Sequence, residues 1–159
     1  MTPPAPGVRR AEARDLDALA DLFVELLAHH AVLEPAFRVR ADVRERLPKL
    51  LAQQLRDADA AVFVCEEACG LVGFCSVRVE RAPSAMLEVS RAEIADLGVR
   101  ADQRRKGVGR SLVETARSWV RSRGAERLEV RVAVRNPEGQ AFWRALGFEG
   151  FVDVLHRRL

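Results

Sequence analysis

Two stretches of this sequence hold residues whose types and spacing could do chemistry. In Arg104-Arg105-Lys106-Gly107-Val108-Gly109, three consecutive cations run into two glycines, and an amphipathic pattern begins directly afterwards. A turn of this composition at the head of a helix aims unpaired backbone N–H groups at one point and adds the positive end of the helix dipole, so it suits an anion. Glycines let a ligand approach the backbone closely, and a phosphate-bearing molecule is the natural tenant. No G-x-x-x-x-G-K-[ST] run is present, and Gly107-x-Gly109 lacks a third glycine at dinucleotide spacing, so nucleoside triphosphates and dinucleotides lose ground. The second stretch carries Glu93 and Asp96 in an otherwise apolar strand pattern, where a carboxylate could take a proton from a substrate. Alternation sets the two on opposite faces of a strand unless a bulge intervenes.

The elements that must position these groups are legible from periodicity. Leu16, Leu19, Ala20, Phe23, Leu26 and Leu27 recur with helical spacing behind a capping Asp15, and Val43, Leu47, Leu50, Leu51 and Leu55 define a second helix that Pro48 should kink or restart. Ala61–Cys65 and Leu71–Val79, split by a turn at Gly70, read as an antiparallel hairpin. A further strand runs through Glu93–Val99, where Gly98 hints at a bulge. Leu112, Val113, Ala116, Trp119 and Val120 make a strongly amphipathic helix closed by Gly124. Leu128, Val130, Val132 and Val134 alternate as a strand. Asn136-Pro137 opens a last helix with Phe142, Ala145 and Leu146 expected inside, and a final strand is expected from about Phe151 to Leu159. With a short strand at Val8–Ala11, the order β-α-α-β-β-β-α-β-α-β is that of an α/β protein with a mixed sheet flanked by helices.

Composition bounds the function. At 159 residues, 48% hydrophobic and 31% charged, the chain suits one domain with its own core, residues 8–159 behind a proline-containing leader at 1–7. No apolar run approaches the roughly 18 residues that would span a bilayer, and no secretory layout opens the chain, so a cytoplasmic protein without membrane contact is expected. The 26 basic residues are interleaved with 23 acidic ones, which disfavours a nucleic-acid binder. Cys65, Cys69 and Cys75 match no zinc spacing and are odd in number, so Cys65 and Cys75 read as apolar strand residues. Lys106 and Asn136 stand out in a chain with two lysines and a single asparagine, and tyrosine is absent.

Arg104 to Gly109 resembles the R/Q-x-x-G-x-G/A pyrophosphate loop of the GNAT family, the GCN5-related N-acetyltransferases. Glu93–Val99 looks like that family's fourth strand, and Asn136 to Phe148 is similar to its N-x-x-A-x-x-x-Y-x-x-x-G-F helix, with Gly139 in place of alanine and Trp143 in place of tyrosine. The resemblance implies a GNAT fold and an acetyl-CoA cosubstrate. Leu97, Gly98 and Val99 are then expected to pair with the pantetheine arm. The N–H groups of Arg104, Arg105, Lys106, Gly107, Val108 and Gly109 are expected on the pyrophosphate, with the Ser111 hydroxyl beside them. Asn136 is either a cofactor contact or a plain helix N-cap, and Trp143 either flanks the cofactor or packs.

By the same resemblance Glu93 is the favoured general base and Asp96 the alternative, both acting on an amine that attacks the thioester directly in a ternary complex with no metal. His30, Glu34 and Phe37 are expected to touch the acceptor, a small-molecule or peptide amine. A homodimer is left open. The alternative reading is an acetyl-CoA-binding sensor or regulatory module without turnover, for which the missing tyrosine is the best support.

Overall fold

A computed structural model of the chain describes residues 7–159; the proline leader lies outside the described residues, Gly7 aside. Strand β1 (Val8–Arg10) is followed by a 3-10 turn at Ala13–Asp15, helices α1 (Leu16–Leu33) and α2 (Val43–Arg56), and strands β2 (Ala60–Glu67), β3 (Gly70–Arg81) and β4 (Ser90–Val99). Helix α3 (Val108–Ser122), strand β5 (Arg127–Val130) and helix α4 (Pro137–Ala145) complete the order. The five strands lie in sequence order, with β1 to β4 antiparallel and β5 parallel to β4.

Helices cover both faces of the sheet. Leu19 and Phe23 of α1 and Leu47 and Leu51 of α2 pack on Val62, Val64 and Phe74, while Leu112, Val113 and Val120 of α3 pack with Trp143 on Phe63, Cys75, Val77 and Ile94. A strand with helices on both sides has no solvent face, which explains why all six residues from Ala60 to Cys65 are buried and apolar. Cys65 and Cys75 are free thiols inside this core, as their strand positions predict, and Cys69 is exposed. Burial pushes the Cys75 thiol far up from its ordinary value, so it stays protonated.

Four expectations are corrected. Helix α2 runs through Pro48 without a break. Asp15 precedes α1, but its side chain makes no capping bond to that helix; it accepts hydrogen bonds from Arg9 Nη1 at 2.7 Å, Arg9 Nη2 at 2.8 Å and the Glu12 N–H at 2.8 Å. The β4 bulge sits at Ala95, where the ladder steps from Ser76–Asp96 to Val77–Ile94. Gly98 serves another purpose, since a Cβ there would stand 2.5 Å from the Phe74 ring. Finally, residues 151–159 form no strand. All nine are exposed and pair with no strand; an alternating apolar pattern permits a strand but does not by itself dock one on a sheet edge.

Candidate active site

The parallel ladder between β4 and β5 is short. It joins Arg91–Ile94 to Arg127–Val130 and stops there, because β5 ends while β4 continues to Val99. The expected strand through Val134 is therefore only four residues long, and Val134 is exposed. Beyond Ile94 the β4 edge that faced β5 has no strand partner among the described residues, which leaves the backbone of Leu97, Gly98 and Val99 open to an extended ligand.

At the far end of this edge the chain turns into α3. Gly107 adopts φ +86° and Arg105 φ +64°, so the turn takes two successive departures into the left-handed region before Val108 starts the helix. A Cβ on Gly107 would meet nothing within 4 Å, so its glycine answers to conformation and leaves the space above it open. Gly109 has the opposite constraint: a Cβ there would stand 3.3 Å from Phe142 Cζ, so this glycine lets α4 lie against the start of α3. Arg105, Gly107, Gly109, Arg110, Phe142, Ala145 and Leu146 line a cavity of about 230 Å³ at this junction. Arg104 Nε donates to the Val99 carbonyl at 3.1 Å, and Lys106 Nζ to Gln103 Oε1 at 3.3 Å. The Ser111 N–H donates to the Gly107 carbonyl as the first α3 turn.

The bulge at Ala95 decides where the carboxylates point. Ile94 and Leu97, three residues apart, both pack on the α3 side, so Glu93 and Asp96 share the α1 side. Their surroundings differ. Glu93 lies opposite Glu129 inside the closed part of the ladder and is paired with Arg131 Nε at 3.3 Å. Asp96 lies past the last β5 pair and accepts a hydrogen bond from the Ser76 hydroxyl at 2.7 Å. Burial raises the Asp96 carboxyl above the ordinary carboxylate range, against the Ser76 hydrogen bond and the charge of His30, which favour the ionised form. His30 faces it from α1; burial, then the neighbouring His29, lower its pKa, and Asp96 acts in the other direction.

The other expected acceptor contacts gather nearby. The Phe37 ring lies 6.2 Å from that of His30, and Glu34 is 3.9 Å from Arg135 Nη1, which reaches across from the segment between β5 and α4. Phe37 also lines an open apolar cleft of about 550 Å³ with Val24, Ala28, Ala31, Pro35 and Val39. The structure thus brings together a basic turn and an unpaired strand edge, with the buried carboxylate of Asp96 on the same strand.

A sequence model of the acetyltransferase (GNAT) family matches residues 24–148. The chain belongs to this family. Among curated relatives, a mycothiol acetyltransferase from Thermobispora bispora is 32% identical over 100 residues, covering 62% of this chain and 34% of that protein, so the chain spans about a third of the relative's length. The GNAT fold is shared with a mutant of the BH1408 protein from Bacillus halodurans at a TM-score of 0.86 and 20% identity, covering 96% of this chain and 98% of that one. An aminoglycoside N-acetyltransferase, AAC(6')-Iy, solved in complex with CoA, matches at a TM-score of 0.78 and 17% identity over 99% and 97% of the two chains.

Within this GNAT chain the two departures in the α4 pattern have local reasons. Trp143 is buried, with its ring 5.1 Å from those of Phe142 and Phe148, and belongs to the α3-side core. Of the two roles open to Trp143 the structure shows the packing one; Phe142 and Leu146 pack half-buried against the same core and, with Ala145, which is exposed and not buried as expected, they line the cavity by the basic turn. Gly139 donates its N–H to Asn136 Oδ1 at 2.9 Å, which makes Asn136 an N-cap, and a Cβ on Gly139 would stand 2.5 Å from Asn136 Nδ2. Sequence reasoning missed Ser76, because a serine in an apolar strand carries no signal until the facing residue is known. It also missed Arg110, which lines the cavity; its position one residue after Gly109 was the available signal.

Proposed function

We propose that residues 8–159 form one domain that transfers the acetyl group of acetyl-CoA to the nitrogen of an amine. The observation that carries this reading is the continuity of the unpaired Leu97–Val99 edge with the left-handed turn at Arg105 and Gly107. Together they offer a linear row of backbone groups leading to an anion-binding helix start. Acetyl-CoA has the matching parts, an amide-bearing arm and a pyrophosphate, and supplies an acetyl group already activated as a thioester. The CoA held by the similarly folded AAC(6')-Iy supports the choice.

The chain's own residues then divide the work. N–H groups from Arg105 to Gly109 bind the pyrophosphate, with the charges of Arg104, Arg105, Lys106 and Arg110 around it. Backbone groups of Leu97–Val99 hold the arm along β4, and an N–H there polarises the thioester carbonyl. An amine must be neutral to attack, so a proton has to leave it. We assign that proton to Asp96 in preference to Glu93, because Asp96 lies beyond the last β4–β5 pair, next to Leu97, whereas Glu93 is engaged by Arg131. Ser76 orients the Asp96 carboxylate, and His30 with Phe37 borders the acceptor's approach. With no tyrosine in the chain, the departing thiolate takes its proton from water.

The acceptor class we infer is a small-molecule amine, the class on which the aminoglycoside acetyltransferase neighbours act by name. Titration calorimetry with acetyl-CoA, followed by an amine panel read out as free CoA thiol, tests the reading. Heat of binding and thiol release with at least one amine are expected. Absence of binding at millimolar acetyl-CoA would overturn the acetyl-CoA reading, and binding without turnover on any amine would favour the sensor alternative.

A further inference from the structure

Three elements meet in step over Asp96. On the α1 side of the sheet Phe74 and Ser76 follow one another along β3, and their partners Gly98 and Asp96 do so along β4. Phe74 covers Gly98 and stacks on Phe23 of α1, with ring centroids 4.2 Å apart. Leu19, Phe23, Leu26 and His30 recur at intervals of four, three and four, so His30 continues the stripe that α1 turns to the sheet, about two turns beyond the stacked ring. Asp96 lies two residues along β4 from Gly98, bonded by Ser76 on this same side. Helix and strands together set His30 at Asp96, in accord with the influence each charge has on the other. The other groups around the imidazole are His29, the Phe37 ring at 6.2 Å, and Glu34 one turn on, which lies 3.9 Å from Arg135.

We propose that His30 is the proton exit of Asp96, taking from its carboxyl the proton that Asp96 has taken from the amine and passing it to solvent. The inference rests on the acetyl-transfer reading. In the ternary complex acetyl-CoA lies along Leu97–Val99 and the amine over the carboxylate, so the substrates fill the side on which Asp96 meets them. The proton then leaves on the side of α1, where the half-buried His30 reaches water. The ammonium N–H bond breaks as an Asp96 O–H bond forms, and that O–H breaks as an imidazole N–H forms. The imidazolium gives its proton to water or buffer, each bonding pair staying on the atom that the proton leaves. Burial suits both partners to the hand-over: it lowers the His30 pKa, so the ring is neutral and able to accept near pH 7, and it raises that of Asp96, which narrows the gap between them. His30 acts through Asp96 and needs no contact with the thioester.

Two measurements test it. NMR titration of the histidine rings in the wild type and in Asp96→Asn reads the coupling without turnover, with His29→Gln and His30→Gln for assignment. The His30 midpoint is expected to fall in the Asp96→Asn variant, because a facing negative charge is lost. Steady-state rates are then taken at low and high imidazole with the best amine of the panel. His30→Ala and His30→Gln are expected to lose about tenfold or more in kcat at low buffer, with KM for acetyl-CoA unchanged and the rate of the alanine variant restored by imidazole. His29→Gln is expected to show neither effect. An unmoved His30 midpoint, a His30→Ala enzyme as fast as the wild type, or a loss that imidazole does not relieve overturns the inference and leaves acetyl transfer standing. A wild type that turns over no amine fails the acetyl-transfer reading itself and takes the inference with it.

Discussion

The Ser76 hydroxyl donates a 2.7 Å hydrogen bond to the carboxylate of Asp96, directly across the β3–β4 ladder and one step from the bulge at Ala95. It is the bond that opposes burial in setting the Asp96 charge. Burial still wins, so ionising the carboxylate that we propose as the base weakens the fold.

Asp96→Asn is expected to lower turnover by about a hundredfold or more. The same change is expected to raise the melting temperature at pH 8, by roughly 2–4 °C. The sign follows from linkage. The folded state holds the Asp96 proton to higher pH than the unfolded chain does, so stability falls as pH rises from the ordinary carboxylate value of about 3.9 through the raised one. Melting curves from pH 4 to 8 check this: the wild type loses stability across that window relative to the asparagine variant, and parallel curves contradict it.

Ser76→Ala separates orientation from packing. Losing the donor removes a stabiliser of the ionised form, so the acidic limb of the kcat/KM profile moves to higher pH, with acetyl-CoA affinity unchanged. An unshifted limb with a uniformly lower rate indicates a packing role only.

Acetyl-CoA at a hundredfold excess over its dissociation constant is expected to stabilise the protein by about 2.7 kcal/mol. Gly107→Ala, which forces a side chain onto a left-handed residue, costs about 1 kcal/mol and weakens binding, and Gly107→Glu abolishes it by adding negative charge at the pyrophosphate. Thermal shift with CoA and acetyl-CoA gives both numbers.

Trp143→Ala is expected to destabilise by about 3–5 kcal/mol, as for a large core side chain, while Trp143→Phe changes kcat less than about tenfold. Denaturant melts and initial rates on the two variants check the assignment. A thousandfold loss in the phenylalanine variant, with normal stability, contradicts it.

Arg9 and Asp15 govern the acid limb. The Arg9 guanidinium holds the Asp15 carboxyl below the ordinary carboxylate range. The stability this contributes is therefore present above about pH 3.9 and is lost as pH falls through the lowered value. Asp15→Asn is expected to cost about 2 kcal/mol at pH 7 and to flatten acid unfolding.

What the sequence made readable is what depends on local pattern. The α3 stripe from Leu112 to Val120, the hairpin either side of Gly70, and the glycine turn at Arg104–Gly109 each declare themselves within a dozen residues or so. The bulge is different. Nothing in Glu93–Val99 marks Ala95 rather than Gly98 as the extra residue, because the choice is made by what β3 and Phe74 present across the ladder. Our proposed preference for Asp96 over Glu93 rests on contacts of the same kind, since Arg131, just after β5, reaches Glu93 and Ser76 of β3 reaches Asp96. On α4, helical spacing identified a stripe but not its rotation. Phe142 and Leu146 do pack half-buried on the core, but the most buried residue of α4 is Trp143, which only the packing of the helix against Gly109 and Phe148 selects.

The clash that a Cβ on Gly139 would make with Asn136 also constrains the route by which these two positions can change. With Asn136 in place, Gly139→Ala gains the better helix former, about 1 kcal/mol, and forfeits a cap of similar size as the amide swings away. With Asn136 already replaced by alanine there is no cap to forfeit, and the gain is realised in full. One substitution is thus silent in one background and stabilising in the other. Stability alone therefore leaves alanine at 139 neutral while Asn136 caps the helix, and favours it outright only where 136 is not a capping residue.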